Sequence, residues 1–200
     1  MAKLIVSNII SLDGFCAGPG GNPMALPMDG AFNAYNAQRL RSAGTLLLGR
    51  TTFEMFRGFW PGMEDNPAAE PVVQETARLN RAIDKLVVSD SLALEPGSPW
   101  GDARVLRRAA VREAIARLKA VDGPDILVFG SRTMWNGLLA LGLVDELHLM
   151  VGNVVLGAGV PAFDPQSASA SLRLVGERRW EDSHNVLLQY ACAVRAAGQA

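Results

Sequence analysis

Two short stretches of the chain carry the residue types that hold a phosphate group. In the first, Leu46-Leu47-Leu48-Gly49-Arg50-Thr51-Thr52-Phe53-Glu54, an apolar run ends in glycine and passes into residues of helical character. Thr51 and Glu54 have the S/T-x-x-E spacing of a capping box, which predicts a helix N-terminus directly after Gly49-Arg50. Unpaired N–H groups, the positive end of a helix dipole and a guanidinium would then meet at the carboxyl end of a strand, an arrangement suited to an anion. An ordinary strand-to-helix turn with a solvated arginine is the alternative. The second stretch, Ile126-Leu127-Val128-Phe129-Gly130-Ser131-Arg132-Thr133, repeats the plan: an apolar strand ends in glycine, and a serine able to cap and an arginine precede helical residues. Two such turns at one sheet edge could bracket a diphosphate, because ligands of open α/β sheets bind outside the carboxyl ends of the strands.

A third run, Val87-Val88-Ser89-Asp90-Ser91, offers hydroxyls to a ribose or its phosphate. Asp90 would repel a 2′-phosphate or accept from a free 2′-hydroxyl, and a plain Asx/Ser turn is the alternative. Ser11-Leu12-Asp13-Gly14 ends another apolar run; Asp13 is either a site carboxylate at the same edge or a turn residue bonding its own backbone. Gly14 and the glycines of 18–21 do not form G-x-G-x-x-G, and neither G-x-x-x-x-G-K-[ST] nor G-x-S-x-G occurs, so kinase-like, ATPase and serine-hydrolase readings fall. His148 and His184 lack metal-ligand spacing, and Cys16 and Cys192 are far apart with no C-x-x-C. No metal site is expected; His148 reads as a structural histidine in an alternating strand and both cysteines as buried free thiols.

Positioning these residues takes alternating strands and helices, and the hydrophobic pattern supplies them. Strands are expected at Leu4–Ile10, Thr45–Leu48, Leu86–Val88, Arg104–Leu106 and Ile126–Phe129, and helices at Phe32–Ser42, Thr52–Phe56, Val72–Ile83, Val111–Val121 and Arg132–Leu141. Several strands are near-continuous apolar runs, as in sheets covered on both faces. After Gly142 the pattern changes: Asp145–Val151, Leu172–Val175 and Asn185–Val194 read as strands with no helix between them, hence antiparallel additions to the sheet. Segments 18–27, 60–71, 95–102 and 157–170 are rich in Pro and Gly and read as irregular, and the tail after Arg195 as frayed.

The 200 residues are 49% hydrophobic and 20% charged, a balance and length that point to one folded domain over residues 1–200, with two small ones as the alternative, and no need of disulfide staples. Nineteen Lys and Arg against twenty Asp and Glu leave a formal net charge of −1. With the basic residues dispersed, nothing favours nucleic acid or an anionic membrane as partner. No apolar stretch reaches the ~20 residues of a membrane helix, and Leu4-Ile5-Val6 is too short for a signal-peptide core, so the cytoplasm is the expected compartment.

In their order along the chain, Gly49-Arg50-Thr51, Lys85-Leu86-Val87-Val88-Ser89, Phe129-Gly130-Ser131-Arg132 and Gly142-Leu143-Val144-Asp145-Glu146-Leu147 resemble the dihydrofolate reductase-like superfamily. Ser11-Leu12-Asp13-Gly14, the GLVDEL segment and Val155-Leu156-Gly157-Ala158-Gly159 are most similar to one branch of it. That branch is the reductase (RibD C-terminal) domain of the bifunctional riboflavin-biosynthesis deaminase/reductase, with its free-standing single-domain relatives. The resemblance covers about Lys3 to Val194. It implies a mixed, mostly parallel sheet of about eight strands flanked by helices, with antiparallel strands at the C-terminus. It also implies NADPH bound across the carboxyl edge and hydride passed to a small pterin- or pyrimidine-like heterocycle. By position, Gly49, Arg50, Thr51 and Thr52 would hold one side of the pyrophosphate and Gly130, Ser131, Arg132 and Thr133 the other, with Ser89 near the adenosine 2′ position. Asp13 would orient the substrate or relay a proton, and Phe32, Asn33 and Trp60, with Tyr35, would line the substrate. A homodimer through the C-terminal strands, over 145–155, is implied as well.

Two departures bear on the substrate. True dihydrofolate reductases place an acid on the first helix, whereas this chain has Asn33 there, with Asp29 nearby. Asparagine cannot donate a proton as an acid does, so folate reduction is not expected unless Asp29 takes that place. No segment corresponds to the deaminase domain, so a complete role in riboflavin biosynthesis would need another protein. A non-catalytic nucleotide-binding or dimeric interaction protein on the same fold is the competing reading, motivated by Asn33.

Overall fold

The computed structural model describes residues 1–164 and 171–192. The tail after Arg195, the end of the strand expected at Asn185–Val194 and the last residues of the 157–170 loop therefore lie outside the described residues. In chain order the elements are β1 (Leu4–Ile10), β2 (Phe15–Ala17), α1 (Gly30–Ser42), β3 (Ala43–Gly49), α2 (Arg50–Phe59), α3 (Pro71–Ala82), β4 (Asp84–Val88) and β5 (Arg104–Leu106). There follow α4 (Val111–Ala120), β6 (Asp125–Phe129), α5 (Arg132–Ala140), β7 (Glu146–Val151), β8 (Val160–Pro161), β9 (Leu172–Arg179) and β10 (Val186–Cys192). Eight strands make the main, mostly parallel sheet, with five α-helices among the described residues. This is the mixed α/β architecture expected, down to the antiparallel strands at the C-terminus.

The residues gather into two compact units: Met1–Ala2 with Asn33–Ser131, and Lys3–Phe32 with the described part of 132–200. In the first, β5, β4, β3 and β6 lie side by side in that order, all parallel. Leu46, Leu47 and Leu48 of β3 have no exposed surface, which explains why β3 reads as an unbroken apolar run rather than an alternating one. Leu46, Leu48, Phe53, Val87, Leu127, Phe129 and Trp100 form one core cluster. Because these strands run the same way, with Gly49 opposite Val88, the carboxyl ends of β3, β4 and β6 open on one edge.

In the second unit β1 and β7 are parallel, while β10 pairs antiparallel with both β7 and β9. Strand β7 is buried throughout Leu147–Met150, so the alternation expected around His148 gives way to a strand covered on both faces. A second, two-stranded sheet of β2 and β8 was not foreseen. Strand β8 forms inside the segment 157–170 read as irregular and β2 just ahead of the segment 18–27, because pairing two or three residues needs no hydrophobic period. Gly159, at φ +150°, permits it: a Cβ there would lie 2.2 Å from the Ala17 carbonyl oxygen. Short 3₁₀ turns at Pro19–Gly21, Pro23–Ala25 and Trp60–Gly62 also interrupt stretches expected to be irregular.

Candidate functional site

The two glycine turns meet within the first unit. The Gly49 backbone N–H donates to Ser131 Oγ at 3.0 Å, and the Ser131 hydroxyl donates to Thr52 Oγ1 at 2.7 Å. Gly130 and Ser131 both have left-handed backbones, with φ of 53° and 54°. This conformation is open to Gly130 and strained at Ser131. A Cβ on Gly130 would lie 3.4 Å from Thr52 Cγ2, so the β6 turn passes close against the start of α2. The capping box is corrected here: α2 begins at Arg50 with Gly49 as its N-cap, and no side chain caps it. Thr51 is therefore inside the first turn and exposed. Glu54 reaches the Arg50 side chain, Nε to Oε1 2.9 Å, rather than a backbone N–H. The first-turn amides thus remain open toward the edge.

A basic rim continues from Arg50. Its Nη1 donates to Ser91 Oγ at 2.9 Å, so Ser91, rather than Ser89, is the hydroxyl that faces the guanidinium. Ser89 is buried, and its Oγ accepts from the backbone N–H groups of Ser91 and Leu92 at 3.2 and 3.0 Å. The serine turn weighed as an alternative is thus what its side chain makes. Asp90 Oδ1 accepts the Arg108 backbone N–H at 3.0 Å, and Arg108 Nε stands 3.6 Å from Oδ2. Arg107 donates to the Asp90 carbonyl. The carboxylate that seemed hostile to a phosphate is thereby offset by Arg108. Sequence reasoning overlooked Arg107 and Arg108; the available signal was an adjacent arginine pair at the exit of β5, a strand whose neighbour β4 ends in the serine loop.

Asp13, in the second unit, accepts from Ser11 Oγ at 2.6 Å and from the backbone N–H groups of Leu156 and Gly157 at 3.1 and 2.7 Å. The Ser11 hydroxyl above all, joined by the two amides, holds its carboxyl down at about 2. It is ionised at neutral pH, which fits an orienting group and not a proton donor. Asp29 accepts the Phe32 backbone N–H at 3.1 Å and the Ser183 hydroxyl at 2.5 Å, so it works as a cap for α1. Arg132 donates through Nε to the Pro161 carbonyl at 2.6 Å and lies 4.0 Å from Asp164; Thr133 is exposed on the next position of α5. In the first unit, Asn33 is half-buried, Tyr35 is buried, and Trp60 packs edge-on against Phe56 and Phe59 at 6.0 and 5.0 Å between ring centroids. Phe32, on the first turn of α1 in the second unit, is half-buried.

The two cysteines are free, but half-buried rather than buried as expected. Burial pushes both thiols up, that of Cys192 to about 11, so neither is a ready nucleophile. His148 is fully buried with Nε2 2.9 Å from Glu146. Among the described residues no His, Cys, Asp and Glu group could hold a metal ion, and no helix is long and apolar enough to cross a membrane.

Comparison with known proteins shows the family and the fold. The family described as the RibD C-terminal domain matches residues 2–187. The uncharacterized protein YyaP of Bacillus subtilis (strain 168) is 28% identical over 176 residues, covering 88% of each chain. A pyrimidine reductase-like protein of Corynebacterium diphtheriae superposes with a TM-score of 0.65 at 17% identity, over 96% of this chain and 92% of its own. Dihydrofolate reductase from Enterococcus faecalis, solved with NADP(H), gives 0.56 at 16% identity, over 95% and 96%. At such identities the two structural likenesses speak for the fold.

Proposed function

The chain belongs to the RibD C-terminal domain family, and on that premise we propose that it is an NADPH-dependent reductase acting on a small pterin- or pyrimidine-like heterocycle. The fold is of a reductase type; the cofactor and the acceptor are our reading. The observation that carries it is the Gly49–Ser131 hydrogen bond, which draws two glycine turns and one helix N-terminus together as a dinucleotide bridge requires. The residues present suit such a ligand. The left-handed Gly130 leaves its turn without a side chain against Thr52, and Arg50, Arg107 and Arg108 outnumber Glu54 and Asp90 along the rim. Arg50, Thr51 and the first amides of α2 would hold phosphate oxygens, as would Gly130 and Ser131, with Arg132 and Thr133 assigned to the same task. Ser91 and the Arg107–Arg108 pair, with Ser89 shaping their loop, would meet the 2′-phosphate end.

NADPH, when bound, supplies the hydride. The ionised Asp13 would orient the acceptor, and Phe32, Asn33 and Trp60 would line it. With Asn33 unable to protonate a pteridine and Asp29 committed to Phe32 and Ser183, folate is a poor candidate. We place this work in the cytoplasm and in a homodimer through the C-terminal strands, where Leu174 and Val175 of β9 are 49% and 45% exposed. The same Asn33 and Asp29 observations favour a second reading, a non-catalytic nucleotide-binding protein. Acceptor-dependent NADPH oxidation, followed with a panel of pterins and aminopyrimidines, decides between them. Turnover with any acceptor supports the reductase, and NADPH binding without turnover on the whole panel supports the second reading.

A further inference from the structure

Asn136 stands in the middle of α5, where Trp135 and Leu138 are core residues, and only 3% of it is exposed. Asparagine is a weak helix former, and a buried amide is costly unless its groups are paired. Both ends of this one are used. Nδ2 donates to the carbonyls of Arg132 and Ala162, each at 2.9 Å, and Oδ1 accepts the Asp164 backbone N–H at 2.8 Å. The Arg132 bond stays within the helix, whereas the other two hold the chain that leaves β8.

Ala162 has no exposed surface, and its own N–H donates to the Gly14 carbonyl at 2.8 Å. One residue thus links α5 to the turn of Asp13: Asn136 holds its carbonyl and Gly14 its amide. Gly14 in turn donates its N–H to the Ser11 carbonyl at 3.0 Å, and Ser11 supplies the hydroxyl bonded to the Asp13 carboxylate. Leu156 and Gly157, whose amides also donate to that carboxylate, belong to the same segment a few residues ahead of Ala162. Gly157 and Gly159 both have positive φ, so this segment has little stiffness of its own and takes its place from its anchors. At one end the anchor is the Leu12 N–H on the Val154 carbonyl at 2.8 Å. At the other it is Asn136, beside Arg132 Nε on the Pro161 carbonyl.

We propose that Asn136 is a positioning residue for Asp13, fixing through the Ala162 peptide the segment whose amides aim that carboxylate at the acceptor. The acceptor rests on the reductase reading above; the hold on Asp13 does not. The test compares the amide-proton NMR shifts of Leu156 and Gly157 at neutral pH in the unaltered protein, Asp13→Asn, Asn136→Ala and the isosteric Asn136→Asp, with each melting temperature recorded. Asp13→Asn sets the scale, because it removes the charge that both amides meet. Asn136→Ala and Asn136→Asp, which lose the bond to Ala162, should each move the two shifts by about half that scale or more. Asn136→Asp keeps an acceptor for the Asp164 N–H, so it carries the test if the alanine variant does not fold. Asn185→Ala is the control: it removes another buried amide of the same unit, bonded through Nδ2 to the Pro27 carbonyl at 2.8 Å. It should lower the melting temperature and leave the two shifts in place. In both Asn136 variants the KM of whichever pterin or aminopyrimidine the unaltered protein reduces is expected to rise about tenfold, with the Kd of NADPH within about twofold. Shifts unchanged in both Asn136 variants, or moved equally by Asn185→Ala, overturn the proposal while leaving the reductase reading in place. Moved shifts with an unchanged KM overturn its acceptor half. Turnover of no acceptor by the unaltered protein overturns the reductase reading, and the shifts then decide the hold on Asp13 alone.

Discussion

The backbone N–H of Gly49 lies 3.0 Å from Ser131 Oγ, whose own hydrogen goes to Thr52 Oγ1 at 2.7 Å. One hydroxyl thus accepts from the end of β3 and donates to the start of α2 while sitting on the turn that leaves β6. The pairing of β3 with β6 brings the two chain ends near, and the left-handed backbone of Ser131 aims the side chain between them. Neither feature is a hydrophobic pattern, yet together they make the edge at which every proposed phosphate contact of the first unit stands.

Ser131→Ala should cost ~1–3 kcal/mol of stability, since it leaves a half-buried Gly49 N–H and Thr52 hydroxyl without their partner. Ser131→Gly loses the same bonds but relieves a strained left-handed residue, so it should cost ~0.5–1 kcal/mol less than the alanine variant. Denaturant unfolding checks the order. An alanine variant as stable as the unaltered protein would show that the hydroxyl bridge contributes nothing.

The Asp13 carboxyl predicts a pH dependence with a definite sign. Its folded value of about 2 is below the ordinary 3.8, so the folded state binds protons less readily than the unfolded one. The stabilisation is fully present above the ordinary value and disappears as pH falls toward the folded one. Melting temperatures of the unaltered protein and Asp13→Asn should differ at neutral pH and converge between about pH 4 and pH 2. A gap that stays constant across that range would mean that the Ser11, Leu156 and Gly157 contacts do not hold the ionised form.

Gly159→Ala should be severely destabilising. The added methyl would fall 2.2 Å from the Ala17 carbonyl oxygen in a backbone at φ +150°, and the atom it meets is main chain that cannot swing aside. A cost of ~1–3 kcal/mol is expected from the backbone conformation alone, with the overlap added to it. Thermal unfolding of the variant within about 2 °C of the unaltered protein, less than ~1 kcal/mol at this size, would contradict the β2–β8 pairing.

The buried parallel strands were legible because Leu46–Leu48 and Ile126–Phe129 leave little choice: an apolar run too short for a helix and bounded by glycine is a covered strand. The strands expected at β1 and β5 also match to the residue, although β5 is short and largely exposed. Local chemistry was less readable. Thr51 and Glu54 have capping-box spacing, but the helix starts one residue before Thr51, because the extended Gly49 takes the N-cap and Arg50 captures Glu54. Ser89 and Ser91 look alike in the sequence; only the fold shows that one is buried in the turn and the other meets Arg50. Arg107 and Arg108 escaped notice because the parallel pairing of β4 with β5 brings them to Asp90, which no spacing along the chain records.

Calorimetric titration of NADPH into the unaltered protein and into Arg50→Ala tests the central claim most directly. Micromolar binding by the unaltered chain and a loss of more than ~1.5 kcal/mol in the variant, about tenfold or more in Kd, are predicted for a guanidinium that holds a phosphate by a charge-assisted bond. Equal affinities in the two proteins would remove Arg50 from the site, and no binding to either would contradict the nucleotide-binding account.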